Sequence, residues 1–265
     1  MIPFSAFLFG LLIGSFLNVC ICRMPMEESV IQPRSRCPHC GRPIRWYDNI
    51  PVLSFLLLAG RCRDCQAALS FFYPVVELAT GLLFAFIAAR FGLTIAAAKA
   101  ALFVAIMLAL GATDLLTRLL PDELTLGGAG AGLVLSFIHP LESGLASLFL
   151  GLADLRLSPR LVSATESLLG AVVGAGVLYL IAEIYYRIRF REGMGLGDVK
   201  MMAMIGAFLG LKQAFYAVML ASILGAVLGL VFILLFRKGM AYELPFGAFL
   251  ASASILVAVW GNEAL

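Results

Sequence analysis

Two aspartates stand at the edges of apolar segments far apart in the chain: Asp114 in "LGATDLLTRLLPDELT" and Asp198 in "GMGLGDVKMMAMIGAFLG". A carboxylate at membrane depth costs roughly 2.5 kcal/mol or more at a helix centre on insertion scales, so each is a functional candidate by default. If the two meet across a helix bundle, like-charge repulsion and partial loss of water leave them sharing one proton. One member then activates a water as general base while the protonated one polarises a peptide carbonyl, which is the chemistry of an aspartyl protease. Gly195 and Gly197 fit this by removing side chains where a substrate backbone and a water must approach; the plainer alternative is an interhelix turn. Lys200, two residues past Asp198, reads as a membrane-edge lysine that also tunes that carboxylate. Glu77, in "YPVVELATG", is expected to anchor its helix by pairing with a basic or amide group. Asp122, after Pro121, is expected to cap the free N–H groups of the helix that follows.

Other protease chemistries lack their residues. His39 and His139 are the only histidines, and neither H-E-x-x-H nor G-x-S-x-G occurs.

A second constellation is the cysteine set "CPHC" and "CRDC", in which Cys37, Cys40, Cys62 and Cys65 form two C-x2-C pairs. The interval between the pairs is slightly longer than in common zinc ribbons. Each tight knuckle presents two thiolates, and two knuckles complete a tetrahedral shell. The rival readings are disulfides or a redox C-x-x-C. Seven arginines between residues 23 and 70 assign this segment to the reducing cytosol, where stable disulfides are rare. Zinc in a structural role is therefore expected, folding a loop too short to build a core of its own. His39 reads as a spacer, and Cys20 and Cys22 as membrane-edge side chains on different faces of one helix.

The elements that must position these groups are transmembrane helices. Hydrophobic residues make up 62% of the 265-residue chain and charged residues 13%, with a mean hydropathy of +1.01, far from the balance of a soluble domain. Apolar runs near 2–21, 71–90, 94–113, 123–139, 166–186, 198–216, 217–236 and 245–263 predict an all-α, polytopic membrane protein of about eight spans. The first run lacks a basic flank and a small-residue cleavage site, so it is expected to be a retained helix. The predicted division is helix one over 1–22, a cytosolic zinc-binding loop over 23–70 and a transmembrane peptidase core over 71–265. With both termini outside, the cytosolic loops hold fourteen of the nineteen Lys and Arg, as the positive-inside bias requires. The formal charge of +3 then reports topology, and no nucleic-acid partner is expected. Gly170 with Gly174 and Gly225 with Gly229 give the spacing that lets helices approach closely.

Taken together, "GSFLNVCICRMP", the paired cysteines, "WYDNIPVLSFLLLAGRCRDC", "YPVVELATG", "DLLTRLLPDELT", "GMGLGDVKMMAMIGAFLG" and "PFGAFLA" resemble the bacterial type IV prepilin peptidases, in order and over almost the full chain. The resemblance implies that Asp114 and Asp198 are the catalytic pair and that the four cysteines hold zinc. It also implies two reactions at the cytosolic face of the inner membrane. The first is removal of the basic leader of type IV prepilins and type II secretion pseudopilins. The second is N-methylation of the new terminal residue from S-adenosylmethionine. No nucleotide-binding motif marks the donor's site; the candidates are Gly60 and Arg61 beside the second knuckle, and Glu77, which could hold the product's ammonium group. Thr113, in place of an apolar residue, and a long polar outer loop over 139–165 depart from the family pattern without touching this chemistry. Two rivals stand beside it: an intramembrane protease of presenilin or signal-peptide-peptidase type, which shares the Gly-x-Gly-Asp motif but lacks the cysteine loop, and a transporter or membrane assembly factor, in which the two aspartates would carry ions and the knuckles dock a partner. The sequence leaves a homo-oligomer open.

Overall fold

A computed structural model describes residues 1–141, 144, 158–190, 194–236 and 245–261 of the chain. The predicted outer loop over 139–165 lies mostly outside the described residues. Eight helices are described: α1 (Ile2–Arg23), the short α2 (Leu53–Leu57), α3 (Phe72–Phe91), α4 (Ile95–Thr117), α5 (Asp122–Ile138), α6 (Pro159–Arg189), α7 (Leu196–Phe236) and α8 (Phe246–Trp260). Five described stretches are long and apolar enough to cross a membrane: Ile2–Met26, Phe72–Phe91, Ile95–Thr117, Pro159–Arg189 and Leu196–Val231. The chain packs as two units, residues 1–109 and 110–265.

In the first unit α1 lies directly on α3. A Cβ on Gly10 would come within 2.8 Å of the Gly81 Cα, and one on Gly14 within 2.7 Å of the Glu77 Cα. These absent side chains let the two backbones touch, the way membrane helices gain contact when burial from water supplies no drive. Asn18 of α1 then donates to the Tyr73 carbonyl at 3.0 Å. Between α1 and α3 runs the polar loop, with a short 3-10 turn at Trp46–Asn49 and α2.

The second unit is built around α7, which is not one rod. Asp198 and Gly225 both approach the start of α8, Asp198 Oδ1 at 3.2 Å from a Cβ built on Gly247 and a Cβ built on Gly225 at 3.5 Å from Phe249. A straight helix would separate them by about 40 Å. The chain doubles back at Gly210, whose φ of 76° is non-helical, so 196–209 and 211–236 are separate arms. The predicted boundary between these runs, at 216–217, sits six residues too late. The sequence marks the bend by Gly210, whose positive φ suits glycine, and by the polar pair Lys212 and Gln213 just after it.

The bend interrupts the helical hydrogen-bond ladder, and neighbouring helices supply partners for two of the groups beside it. The Leu211 N–H goes to Glu166 Oε1 at 3.3 Å, while the freed Ala207 carbonyl accepts from the Ser136 and Ser167 hydroxyls. Away from water both groups need such partners. Gly170 of α6 meets Gly206 backbone to backbone, and Gly174 sits against Met202, which gives the Gly170 and Gly174 spacing its partner.

Candidate active site and candidate metal centre

In the second unit, α4 and the first arm of α7 bring Asp114 and Asp198 together. Asp114 is 6% exposed and Asp198 9%. Both converge on Gly247 at the start of α8. A Cβ there would stand 2.9 Å from Asp114 Oδ2 and 3.2 Å from Asp198 Oδ1, so the two oxygens are no further apart than the sum of those distances. Asp114 Oδ2 also accepts the Ala248 N–H at 2.8 Å. Helix α8 starts after Pro245 with no side-chain cap of its own, and the aspartate of another helix satisfies one of its orphan donors. The sequence reading missed Gly247 and Ala248. The signal available was a Pro-x-Gly at the head of an apolar run, which "PFGAFLA" contains.

The surroundings of Asp198 differ from expectation in three places. Gly195 faces open space, whereas Gly197 is filled from outside by Leu120, 3.0 Å from where its Cβ would be. Lys200 contacts Asp122, with Nζ 2.7 and 2.8 Å from its two carboxylate oxygens, so its direct partner is not Asp198. Asp122, in turn, is no cap. It is the first helical residue of α5, after Pro121 in extended conformation, and a residue already inside the first turn cannot turn its carboxylate onto that turn's N–H groups as a cap does.

In the first unit the four cysteines form one cluster, with their Sγ atoms all within 4.8 Å of one another. Two similar knuckles build it. In the first, Cys37 N–H donates to the Arg42 carbonyl and Gly41 N–H to Cys37; in the second, Cys62 N–H donates to Ala67 and Gln66 N–H to Cys62. Gly41 and Gln66 take the same left-handed conformation, at φ 70° and 56°. Cys37 Sγ lies 3.8 Å from Cys65 Sγ, which matches the edge of a tetrahedron with metal–sulfur bonds of about 2.3 Å. A backbone hydrogen bond from Cys40, joined by one from His39, outweighs the opposing effect of burial and holds the Cys37 thiol down to about 6, while Cys65, despite a backbone bond from Ala67, is pushed up to about 11 by burial and its hydrogen bonds to the other cysteines. The cluster can hold a metal ion, and exposed His39 is outside it. Beside it, Arg63 binds both oxygens of Asp48 at 2.7 and 2.9 Å and keeps that carboxyl below its ordinary range.

Glu77 of α3 accepts the Val52 N–H at 2.8 Å, the amide anchor expected of it. It also lines a cavity of about 190 Å³. Gly60 and Arg61 are not on that wall. Gly60, at φ 68°, turns the chain into the second knuckle under the Phe55 ring. Arg61 pairs with Ala68 across the same knuckle.

Comparison with known proteins covers both parts of the chain. Residues 8–91 match the bacterial peptidase A24 N-terminal domain and residues 101–230 the type IV leader peptidase family. A Myxococcus xanthus protein named prepilin leader peptidase/N-methyltransferase is 40% identical over 87% of this chain, which spans 64% of that protein's length. Proteins of the same name from Stutzerimonas stutzeri and Bacillus subtilis are 34% and 35% identical over 97% of the chain, covering 90% and 94% of their lengths. No solved structure matches the chain.

Proposed function

The chain belongs to the type IV leader peptidase family, and from that premise we propose that it is a membrane aspartyl endopeptidase that removes prepilin leaders and N-methylates the product. Its substrates are type IV prepilins or type II secretion pseudopilins, cut at the cytosolic face of the bacterial inner membrane. The observation that carries the reading is the convergence of Asp114 and Asp198 on Gly247.

The mechanism follows from that pair. Two buried carboxylates this close hold one proton between them. The ionised aspartate takes a proton from a water, which attacks the scissile carbonyl, while the protonated one donates to the carbonyl oxygen. The proton gained by the first then passes to the leaving amine. The Ala248 N–H fixes one Asp114 oxygen, so its orientation is set before substrate arrives. The glycine at 247 lets both acids close on the start of α8, and Gly195 leaves room on the approach to Asp198.

Zinc is the ion best suited to four thiolates, and with no open coordination position its role is structural. It holds residues 23–70 as a folded platform on the cytosolic side. The methyl donor is S-adenosylmethionine.

Purified protein incubated with a prepilin tests the dyad. Asp114→Asn and Asp198→Asn should each lower cleavage by about 10²-fold or more, the range of a lost general acid or base, with bound metal unchanged. Cleavage at the wild-type rate in either variant overturns the reading.

A further inference from the structure

The cavity in the first unit is bounded by one stripe of α1, the start of α3 and the knuckle loop. Ser15, Asn18, Val19 and Cys22 line it from α1, at the three- and four-residue steps that share a helix face. Two carboxylates reach its wall. Asp48 is held by Arg63 through two nitrogens. Glu77 is 8% exposed and makes no ion pair among the described residues; one oxygen takes the Val52 N–H. A buried carboxylate without a cation of its own is a seat for a cationic ligand. Arg23 and Arg36 line the same cavity and suit a ligand's carboxylate. Few ligands carry this mixture of charges, and an amino-acid sulfonium meeting an amino terminus does.

We propose that this cavity is the site of methyl transfer, with Glu77 as the base that receives the substrate's α-ammonium. The inference rests on the methyltransferase reading above and adds its location. About 190 Å³ takes the reacting ends of the two molecules, not the whole of either. Glu77 accepts one proton from the ammonium. The freed amine attacks the donor's methyl carbon, the C–N bond forms as the S–C bond breaks, and sulfur keeps the electron pair as a neutral thioether. The product leaves as a secondary ammonium, and the proton on Glu77 returns to water.

Full-length protein in detergent, a type IV prepilin and labelled S-adenosylmethionine test this. Glu77→Gln keeps an oxygen for the Val52 N–H but is no base. It should cleave within about twofold of wild type and methylate about 10²-fold or more slowly. Val19→Trp, which fills the cavity from α1, should do the same. Wild-type methylation in either variant overturns the proposal. Should a variant lose cleavage or metal as well, the decision passes to the unmutated protein: ultraviolet cross-linking of S-adenosylmethionine supports the site if label maps to residues 15–22 or 73–77, and overturns it if label lies elsewhere. Wild-type protein that cleaves but never methylates defeats the methyltransferase reading itself, a different result.

Discussion

Gly247 is the residue on which both aspartates depend for their shared geometry. Any side chain there must displace an aspartate oxygen that now lies 2.9 Å from the Cβ position, closer than carbon and oxygen tolerate without movement. Gly247→Ala should therefore reduce the rate constant of prepilin cleavage about tenfold or more, since a shift near 1 Å at a catalytic group costs up to about 10²-fold. Helix content and metal should be unchanged, because the glycine is in an ordinary helical turn. Steady-state cleavage kinetics with circular dichroism and metal analysis check this, and an alanine variant at full rate contradicts it. Lys200 and Asp122 are a contrasting pair. Both are substantially exposed, so their ion pair contributes little to stability; its effect is to tie the start of α5 to the first arm of α7.

At the scale of elements, the bend at Gly210 shows how an apolar helix is interrupted inside a bundle. Ser136 of α5 and Ser167 of α6 both donate to the Ala207 carbonyl beside the bend. Removing both hydroxyls by Ser136→Ala with Ser167→Ala should destabilise the fold by about 1–3 kcal/mol, the cost of an unsatisfied buried polar group. Each single substitution should cost less, because one donor remains. Thermal denaturation in detergent measures the difference; additivity of two small effects would mean the carbonyl finds another partner. This repair was not legible beforehand. Serines inside apolar runs look alike in sequence, and only the crossing of three helices shows which carbonyl they serve. The cysteine knuckles were legible, because cysteine spacing within a tight turn is a local property and the second pair repeats the hydrogen bonding of the first.

For the molecule as a whole, the distribution of basic residues predicts an orientation that can be measured. Alkaline phosphatase joined after residue 261 should be active, as an outward-facing end requires, and joined after residue 45 inactive, within the arginine-rich loop. The opposite pattern would reverse the orientation. Composition alone pointed to an all-helical membrane protein, since apolar runs of this length have no other stable form in lipid, and the motifs singled out the two acids and the four thiols as candidates and identified the family. Tertiary structure decided the rest: the glycine between the acids, the lysine's true partner, the bend at Gly210 and the cavity beside Glu77. Helix formation and knuckle formation depend on neighbours in the chain, which sequence displays. Which glycine faces which carboxylate depends on how separate helices pack, and residues as distant as Asp114, Asp198 and Gly247 carry no local mark of their meeting.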